Sequence, residues 1–130
     1  MRCLKVAFGL DDKGNLFKWH FGDSHVFAIY KICEKGKIEL IEYRDNKARE
    51  IEEDHEHGHG SLDKFRKVIE QLHDVDVLAG WMFGPNFLRI KKQSNKVAFY
   101  TKTRDLQAAI KRIIENFDKL WKEVLEKQEK

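Results

Sequence analysis

The chain has 130 residues, of which 42% are hydrophobic and 36% charged, and its formal net charge is +3. This length fits one domain with a single hydrophobic core. The chain lacks the run of about eighteen apolar residues that a membrane helix needs, and its small net charge gives no reason to expect binding to nucleic acid. Because the N-terminus reads as a strand rather than a signal peptide, we expect a cytoplasmic protein.

The first half of the chain predicts three strands. Cys3–Leu10 and Val26–Cys33 are apolar runs of strand length. Ile38–Tyr43 forms a third strand, which Glu39 and Glu42 interrupt as in an edge strand. Consecutive strands of this kind pair antiparallel.

The second half predicts helices that alternate with strands. Ser61 and Asp105 are typical N-cap residues, and Pro85 is favoured in the first turn of a helix. The predicted elements are a helix over Leu62–His73, a strand over Val75–Ala79, a helix from Pro85 to about Gln93, a strand over Lys96–Thr101 and a helix from Asp105 to about Lys127.

This order of elements predicts an α/β fold. Right-handed crossovers place the fourth and fifth strands parallel to the first, on the side away from the second. The sheet is then a five-stranded mixed sheet in the order 3-2-1-4-5, with helices on its faces. This is the ribonuclease-H-like arrangement.

The loops after strands one, three, four and five leave the same edge of this sheet. That edge is the carboxyl end of the parallel strands, where open α/β sheets place ligands. Imidazoles, cations and helix N-termini together suit an anionic, metal-containing ligand. The candidate residues at this edge are His20, His25, His55, His57, His59, Lys102 and Arg104, together with the turn from Gly80 to Gly84.

The loop Leu16–His25 is longer than an ordinary hairpin connection, which indicates a function. Gly22 allows a tight turn or a close approach of a ligand. An alternative interpretation is that Trp19 and Phe21 only close the end of the core while the histidines face solvent.

The segment Arg44–Gly60 is polar and has no hydrophobic period, so we expect a mobile loop. His55, His57 and His59 alternate within it and could share a divalent metal if the loop folds around one. The alternative is a polar loop that binds metal only adventitiously.

The two cysteines do not form a Cys-x-x-Cys pair, so four-thiolate metal sites are absent. If Leu10 pairs with Val26, the same register brings Cys3 opposite Cys33. A disulfide is then geometrically possible, but in a reducing cytosol we expect free thiols.

The last predicted helix would be about 34 Å long at about 1.5 Å per residue, longer than a small sheet needs. Leu120, Trp121, Val124 and Leu125 lie in its second half. They could fold back over the domain or pair with another chain, and we expect a homodimer.

Several short motifs together carry a resemblance. They are Asp11-Asp12-Lys13-Gly14, His20-Phe21-Gly22, the loop His55–Gly60, the strand Val75–Gly80 and Gly84-Pro85-Asn86. In this order and spacing the chain resembles the dinitrogenase iron–molybdenum cofactor biosynthesis family, the NifX-like domains also found at the C-terminus of NifB. The likeness covers about residues 3–112, which divides the chain into a cofactor-binding domain (1–112) and an extension of the last helix (113–130). The chain departs from the family pattern in the bulky Trp81, Met82 and Phe83.

The resemblance implies a non-enzymatic binding or carrier protein for an iron–sulfur or iron–molybdenum-type cluster or its precursor, with cluster-assembly proteins as partners. The family's His-Phe-Gly histidine, a candidate cluster ligand, maps onto His20. The predicted cofactor-binding residues are His20, Phe21, Gly22, His25, Gly80, Gly84, Lys102 and Arg104, and the predicted metal ligands are His20, His55, His57 and His59.

Three other functions compete with cluster binding. The chain could be a protein-interaction module that uses its C-terminal helix, or a divalent-metal binder that uses its histidine loop. A nuclease, suggested by the fold alone, is not expected, because two-metal chemistry needs carboxylates on strands one and four. The centre of strand one and the end of strand four, Ala79-Gly80-Trp81, carry none.

Overall fold

The computed structural model describes residues 1–51 and 62–129. Five strands form one sheet in the order β3-β2-β1-β4-β5, so the predicted α/β fold and strand order are confirmed. None of the helices in the described ranges has the length and apolar character that crossing a bilayer requires. The strands are β1 (Cys3–Leu10), β2 (Val26–Cys33), β3 (Lys37–Asp45), β4 (Val77–Gly80) and β5 (Val97–Tyr100), and the helices are α1 (Leu62–Gln71), α2 (Phe87–Gln93), α3 (Leu106–Glu115) and α4 (Phe117–Gln128).

The pairing of β1 with β2 follows the predicted register from Leu10–Val26 to Cys3–Cys33. β1 also pairs with β4 in parallel, so it is the central strand. Side chains of β1 alternate between two cores. One core contains Phe8 and is covered by α3 and α4, and the other contains Ala7 and is covered by α1. This alternation explains why the β1 sequence is apolar at almost every position.

The two cysteines form a disulfide, so the expectation of free thiols is wrong for this structure. Cys3 and Cys33 are direct partners at the end of the β1–β2 ladder, with their Cα atoms 3.9 Å apart. The predicted proximity is correct, and it is this proximity that allows the bond. The disulfide lies at the edge of the sheet opposite the carboxyl ends of β1, β4 and β5.

The C-terminal segment is two helices, so the prediction of one continuous helix is wrong. The backbone leaves helical geometry at Asn116, with φ −105° and ψ 16°. The Asn116 side-chain amide donates to the carbonyl oxygen of Arg112 at 2.8 Å. A side chain that competes in this way for a helical carbonyl favours the end of a helix.

The break directs α4 back over the sheet instead of beyond it. Leu120 and Val124 are 2% and 3% exposed and belong to the same core as Phe8. Trp121 packs at the margin of this core and receives the Arg2 guanidinium over its ring. The second half of the predicted helix therefore folds back and buries Leu120 and Val124, while Leu125 stays exposed and the homodimer stays a prediction.

β3 is an edge strand with an irregular ladder. Glu42 pairs with Ile29 and Leu40 pairs with Tyr30, so Ile41 is an extra residue that forms a β-bulge. Almost every side chain of β3 is exposed. The apolar side chains among them are Ile38, Leu40, Ile41 and Tyr43.

Secondary structure extends into the first part of the predicted loop, so the predicted start of the loop at Arg44 is too early. Arg44 and Asp45 end β3, and a short 3-10 turn follows over Lys47–Glu50. The Arg44 guanidinium donates twice to the Asp74 carboxylate, at 2.8 and 2.9 Å. The remainder of the predicted loop, with Ser61, lies outside the described residues.

Asp74 joins three parts of the chain. It follows α1 and accepts hydrogen bonds from Arg44 on β3 and from Lys5 on β1, the latter at 2.7 Å. The hydrogen bonds from Arg44 hold the pKa of the Asp74 carboxyl well below its ordinary value, although partial burial opposes them.

We expect the disulfide to contribute roughly 3 to 4 kcal/mol to the free energy of unfolding, because it closes a loop of about thirty residues in the unfolded chain. Guanidinium unfolding of the oxidised protein should therefore have a higher midpoint than unfolding in the presence of a thiol reductant. A double variant, Cys3→Ser with Cys33→Ser, should match the reduced protein. Equal midpoints for the oxidised protein and the double variant would contradict this expectation.

Asp74→Asn should lower the free energy of unfolding at pH 7 by about 1 to 3 kcal/mol, since it weakens two charge-assisted contacts. Because the folded-state pKa is depressed, the carboxylate contributes fully above the unfolded-state pKa of about 4, and this contribution falls as the pH drops below it. The difference between wild type and variant should thus shrink towards pH 2 to 3, measured by urea unfolding across this range. Asp12→Asn, at an exposed position, is the control; a difference for Asp74→Asn that does not depend on pH would contradict the assignment.

Candidate functional site

The loop between β1 and β2 is hydrogen-bonded to the segment between β5 and α3. The side chain of Leu16 is fully buried. The Leu16 carbonyl oxygen accepts from Arg104 Nε at 2.9 Å, and the Arg104 carbonyl accepts from the Leu16 N–H at 2.8 Å. Arg104 also donates to Asp11 Oδ2 at 3.1 Å. Arg104, predicted to bind the ligand, thus holds the loop in place.

Asp11 organises the start of the same loop. Its carboxylate accepts from the N–H groups of Lys13 and Asn15, at 2.9 and 3.0 Å. Burial acts to raise the pKa of Asp11, but these two N–H groups and Arg104 bring it below its ordinary value. Asp11 therefore remains a carboxylate that can anchor Arg104.

Phe21 anchors the middle of the loop. Its ring is 2% exposed and stacks on Phe83, with ring centroids 5.2 Å apart. The Phe21 N–H donates to the carbonyl of Met82 at 2.8 Å, which joins the loop to the chain beyond β4. A Cβ on Gly80 would lie 2.9 Å from the Phe21 ring, so this position requires glycine. The alternative interpretation is therefore correct for Phe21, which closes the core.

His20 lies just outside this aromatic core, between the Trp19 ring and the main chain at Gly84. The Trp19 ring stacks on it, with centroids 4.7 Å apart and planes 16° from parallel. On Gly84, a Cβ would come within 2.4–2.6 Å of three His20 ring atoms, Nε2 among them. The side chain of His20 is 16% exposed, while Trp19 is 54% exposed. The imidazole is thus held in one plane at the sheet edge, within partial reach of solvent.

A carboxylate approaches the other side of the imidazole. Asp23 Oδ2 lies 3.9 Å from His20 Nδ1. The second oxygen of Asp23 accepts a hydrogen bond from Lys64 of α1, whose side chain is buried. At 3.9 Å these two atoms are too far apart for a direct hydrogen bond, so Asp23 lies beside the imidazole without fixing its tautomer.

Asn46 fixes the turn that carries Asp23. Its amide donates to the carbonyl oxygens of Gly22 and Ser24, at 2.8 and 2.9 Å. Gly22 therefore takes part through its main chain. Trp19, Asp23, Asn46 and Lys64 were not predicted from the sequence as parts of the site. The one local signal concerned Asp23, which is an acid three residues after His20 in a turn.

The structure brings only some of the predicted site residues together. His20, Phe21, Gly22, Gly80 and Gly84 form one group at the end of β4. The His25 ring packs against Phe17, with centroids 5.6 Å apart, and the His25 N–H donates to the carbonyl of Leu10. Lys102 lies on another face, in a cleft with α3 and α4.

Metal ligation by several side chains is not found in the described part of the chain. Residues 1–51 and 62–129 contain no group of three His, Cys, Asp or Glu side chains placed to hold a metal ion. His55, His57 and His59 lie outside these ranges. The site around His20 therefore offers a single imidazole, which suits a cluster that brings its own inorganic ligands better than a bare ion.

Comparison with known proteins supports the assignment of this chain to a family. The family model described as dinitrogenase iron-molybdenum cofactor matches residues 2–116. The match contains all the residues around His20 and reaches Asn116, where α3 ends. No curated protein matches the chain.

Gly84→Ala should displace the His20 ring, because the new Cβ would overlap it and because Gly84 has φ +70°. We expect altered His20 imidazole resonances in NMR spectra and a free energy of unfolding lower by about 1 kcal/mol or more. Gly14→Ala is the matched control, since Gly14 has φ +87° but no atom within 4 Å of the position that a Cβ would take. Unchanged His20 resonances in Gly84→Ala would refute the packing described here.

Proposed function

This chain belongs to the dinitrogenase iron-molybdenum cofactor family, and we propose that it binds and carries an iron–sulfur or iron–molybdenum-type cluster or a precursor of one. The cluster is cargo, and the protein catalyses no reaction on it. Donor and acceptor are cluster-assembly proteins, and the setting is the cytoplasm.

The observation that carries this proposal is the constrained imidazole of His20. Trp19 and Gly84 set the plane of the ring, and Asp23 lies on the side of Nδ1. A cluster with its own bridging sulfides needs few protein ligands, and a histidine can serve as one of them. One imidazole held in this way supports reversible binding, which a carrier needs more than tight retention.

The cysteines support the choice of histidine as ligand. The chain has two cysteines, and both are in the disulfide. That disulfide closes the β1–β2 ladder at the opposite edge of the sheet from His20. Oxidised or reduced, the two cysteines therefore lie at the wrong edge to bind a cluster held by His20.

The competing functions have less support. An interaction module based on the C-terminal helix would need an exposed apolar stripe, but Leu120 and Val124 pack in the core. A nuclease would need carboxylates at the centre of β1, where the side chains of Val6, Ala7 and Phe8 are fully buried and apolar.

The test is anaerobic loading with ferrous iron and sulfide, followed by metal and sulfide analysis and absorption spectroscopy. Wild-type protein should retain a cluster through gel filtration. His20→Ala should lose most of this retention, because it removes the imidazole ligand. His73→Ala is the matched control, since His73 is exposed at the end of α1, away from the β4 end.

A second experiment distinguishes a cluster bound at His20 from a metal bound by the loop histidines. A triple variant of His55, His57 and His59 to Ala should still load a cluster if His20 is the main ligand. Equal cluster retention in His20→Ala and wild type would refute the role of His20. Loss of loading only in the triple variant, together with zinc binding in wild type, would favour the divalent-metal function instead.

A further inference from the structure

A cleft of about 340 Å³ runs between β5 and the two C-terminal helices. It shares no lining residue with the surroundings of His20. Phe99 and Leu120 form its apolar part, and Asn116 lies where α3 ends and α4 begins. Its volume lies at the lower end of the range for small-molecule sites.

Three cations line this cleft, and none of them has an ion-pair partner within residues 1–51 and 62–129. They are Lys102 after β5, Arg112 on α3 and Lys119 on α4. The single carboxylate in the lining is Glu123. Elsewhere in the described structure, cations such as Arg44 and Arg104 bind carboxylates directly. The cleft therefore has an excess of positive charge that the chain itself does not neutralise.

Arg112 supplies the most specific evidence. Its Nε is buried and has no hydrogen-bond partner among the described residues. Its guanidinium carbon lies 5.5 Å from the centre of the Phe99 ring, within the range of a cation–π contact. A buried donor without an acceptor is costly, and a planar guanidinium with its donors unused is suited to an oxyanion.

Lys102 adds an independent observation. It adopts the left-handed conformation, with φ 57°, which residues other than glycine rarely adopt. A glycine would fit this backbone with less strain, yet the position carries a positively charged side chain at the mouth of the cleft. Strained positions of this kind are common at ligand sites.

We propose that this cleft binds a small molecule through a tetrahedral oxyanion group such as phosphate. Arg112, Lys119 and Lys102 neutralise the group, and Phe99 and Leu120 contact any apolar part of the ligand. Free phosphate and a phosphomonoester both carry such a group. The volume of the cleft exceeds that of a phosphate ion alone, so there is room for the organic part of a phosphomonoester. The proposal is independent of cluster binding at His20.

The test is titration of the full-length protein with inorganic phosphate and, separately, with phenyl phosphate. Sodium chloride holds the ionic strength constant, calorimetry measures the affinity, and NMR follows the Arg112 Nε–H resonance. Both ligands should shift this resonance saturably at millimolar concentration or below. Tighter binding of phenyl phosphate would identify a phosphomonoester as the preferred source, and equal affinities would identify free phosphate.

Variants separate binding from folding. Lys119→Gln should weaken the affinity about tenfold, since one charged contact is lost. Lys122→Gln makes the same change at an exposed position of α4 outside the cleft and should have no effect. Lys102→Gly should weaken binding without loss of stability, because it removes a charge and relieves the left-handed strain.

Glu123→Gln should strengthen binding, because it removes the one carboxylate in the lining. The absence of a saturable shift at Arg112 with either ligand would overturn the proposal. So would equal affinities for wild type, Lys119→Gln and Lys102→Gly.

Discussion

The candidate site depends on the packing of one side chain. The Phe21 ring lies between the carboxyl ends of the central strands β1 and β4. Its ring occupies the space left by the missing side chain of Gly80 and stacks on Phe83. Because the ring is fixed, its main-chain N–H reaches Met82, and the residue before it is set above Gly84. Burial of a phenylalanine side chain stabilises by roughly 1.5 to 3 kcal/mol. The packing of Phe21 therefore fixes the conformation of the β1–β2 loop next to the His20 imidazole.

Polar contacts extend this rigidity to α1. Near its start, Lys64 binds Asp23 beside His20, and just after its end, Asp74 binds Arg44 and Lys5. The helix is thus tied at one end to the candidate site and at the other to strands β1 and β3. Such ties matter in a small domain, where the apolar core alone supplies a limited margin of stability. They also mean that the position of the carboxylate beside His20 depends on α1.

The fold was predictable from the sequence to within one or two residues at most element ends, because apolar runs in this chain are bounded by clear turn and capping residues. The break between α3 and α4 at Asn116 was not predictable, because it depends on one local hydrogen bond of the Asn116 side-chain amide. The direction of the strands correctly placed His20 and Gly84 at one edge. Strand direction could not predict on which face of the sheet Lys102 lies, because both faces of a sheet meet at the same edge. Nor could local sequence reveal that Arg104 would bind Leu16, a contact between residues 88 positions apart.

The bulge at Ile41 has a consequence for how the molecule behaves among its own copies. Edge strands expose unpaired main-chain groups, and an apolar one offers a template on which another chain can add. β3 carries four exposed apolar side chains. The extra residue interrupts the spacing of the outward N–H and C=O groups, so an incoming straight strand would lose register halfway along. Glu39 and Glu42 place charges on either side of this interruption. We therefore expect the irregularity to disfavour strand-to-strand aggregation of this protein at high concentration.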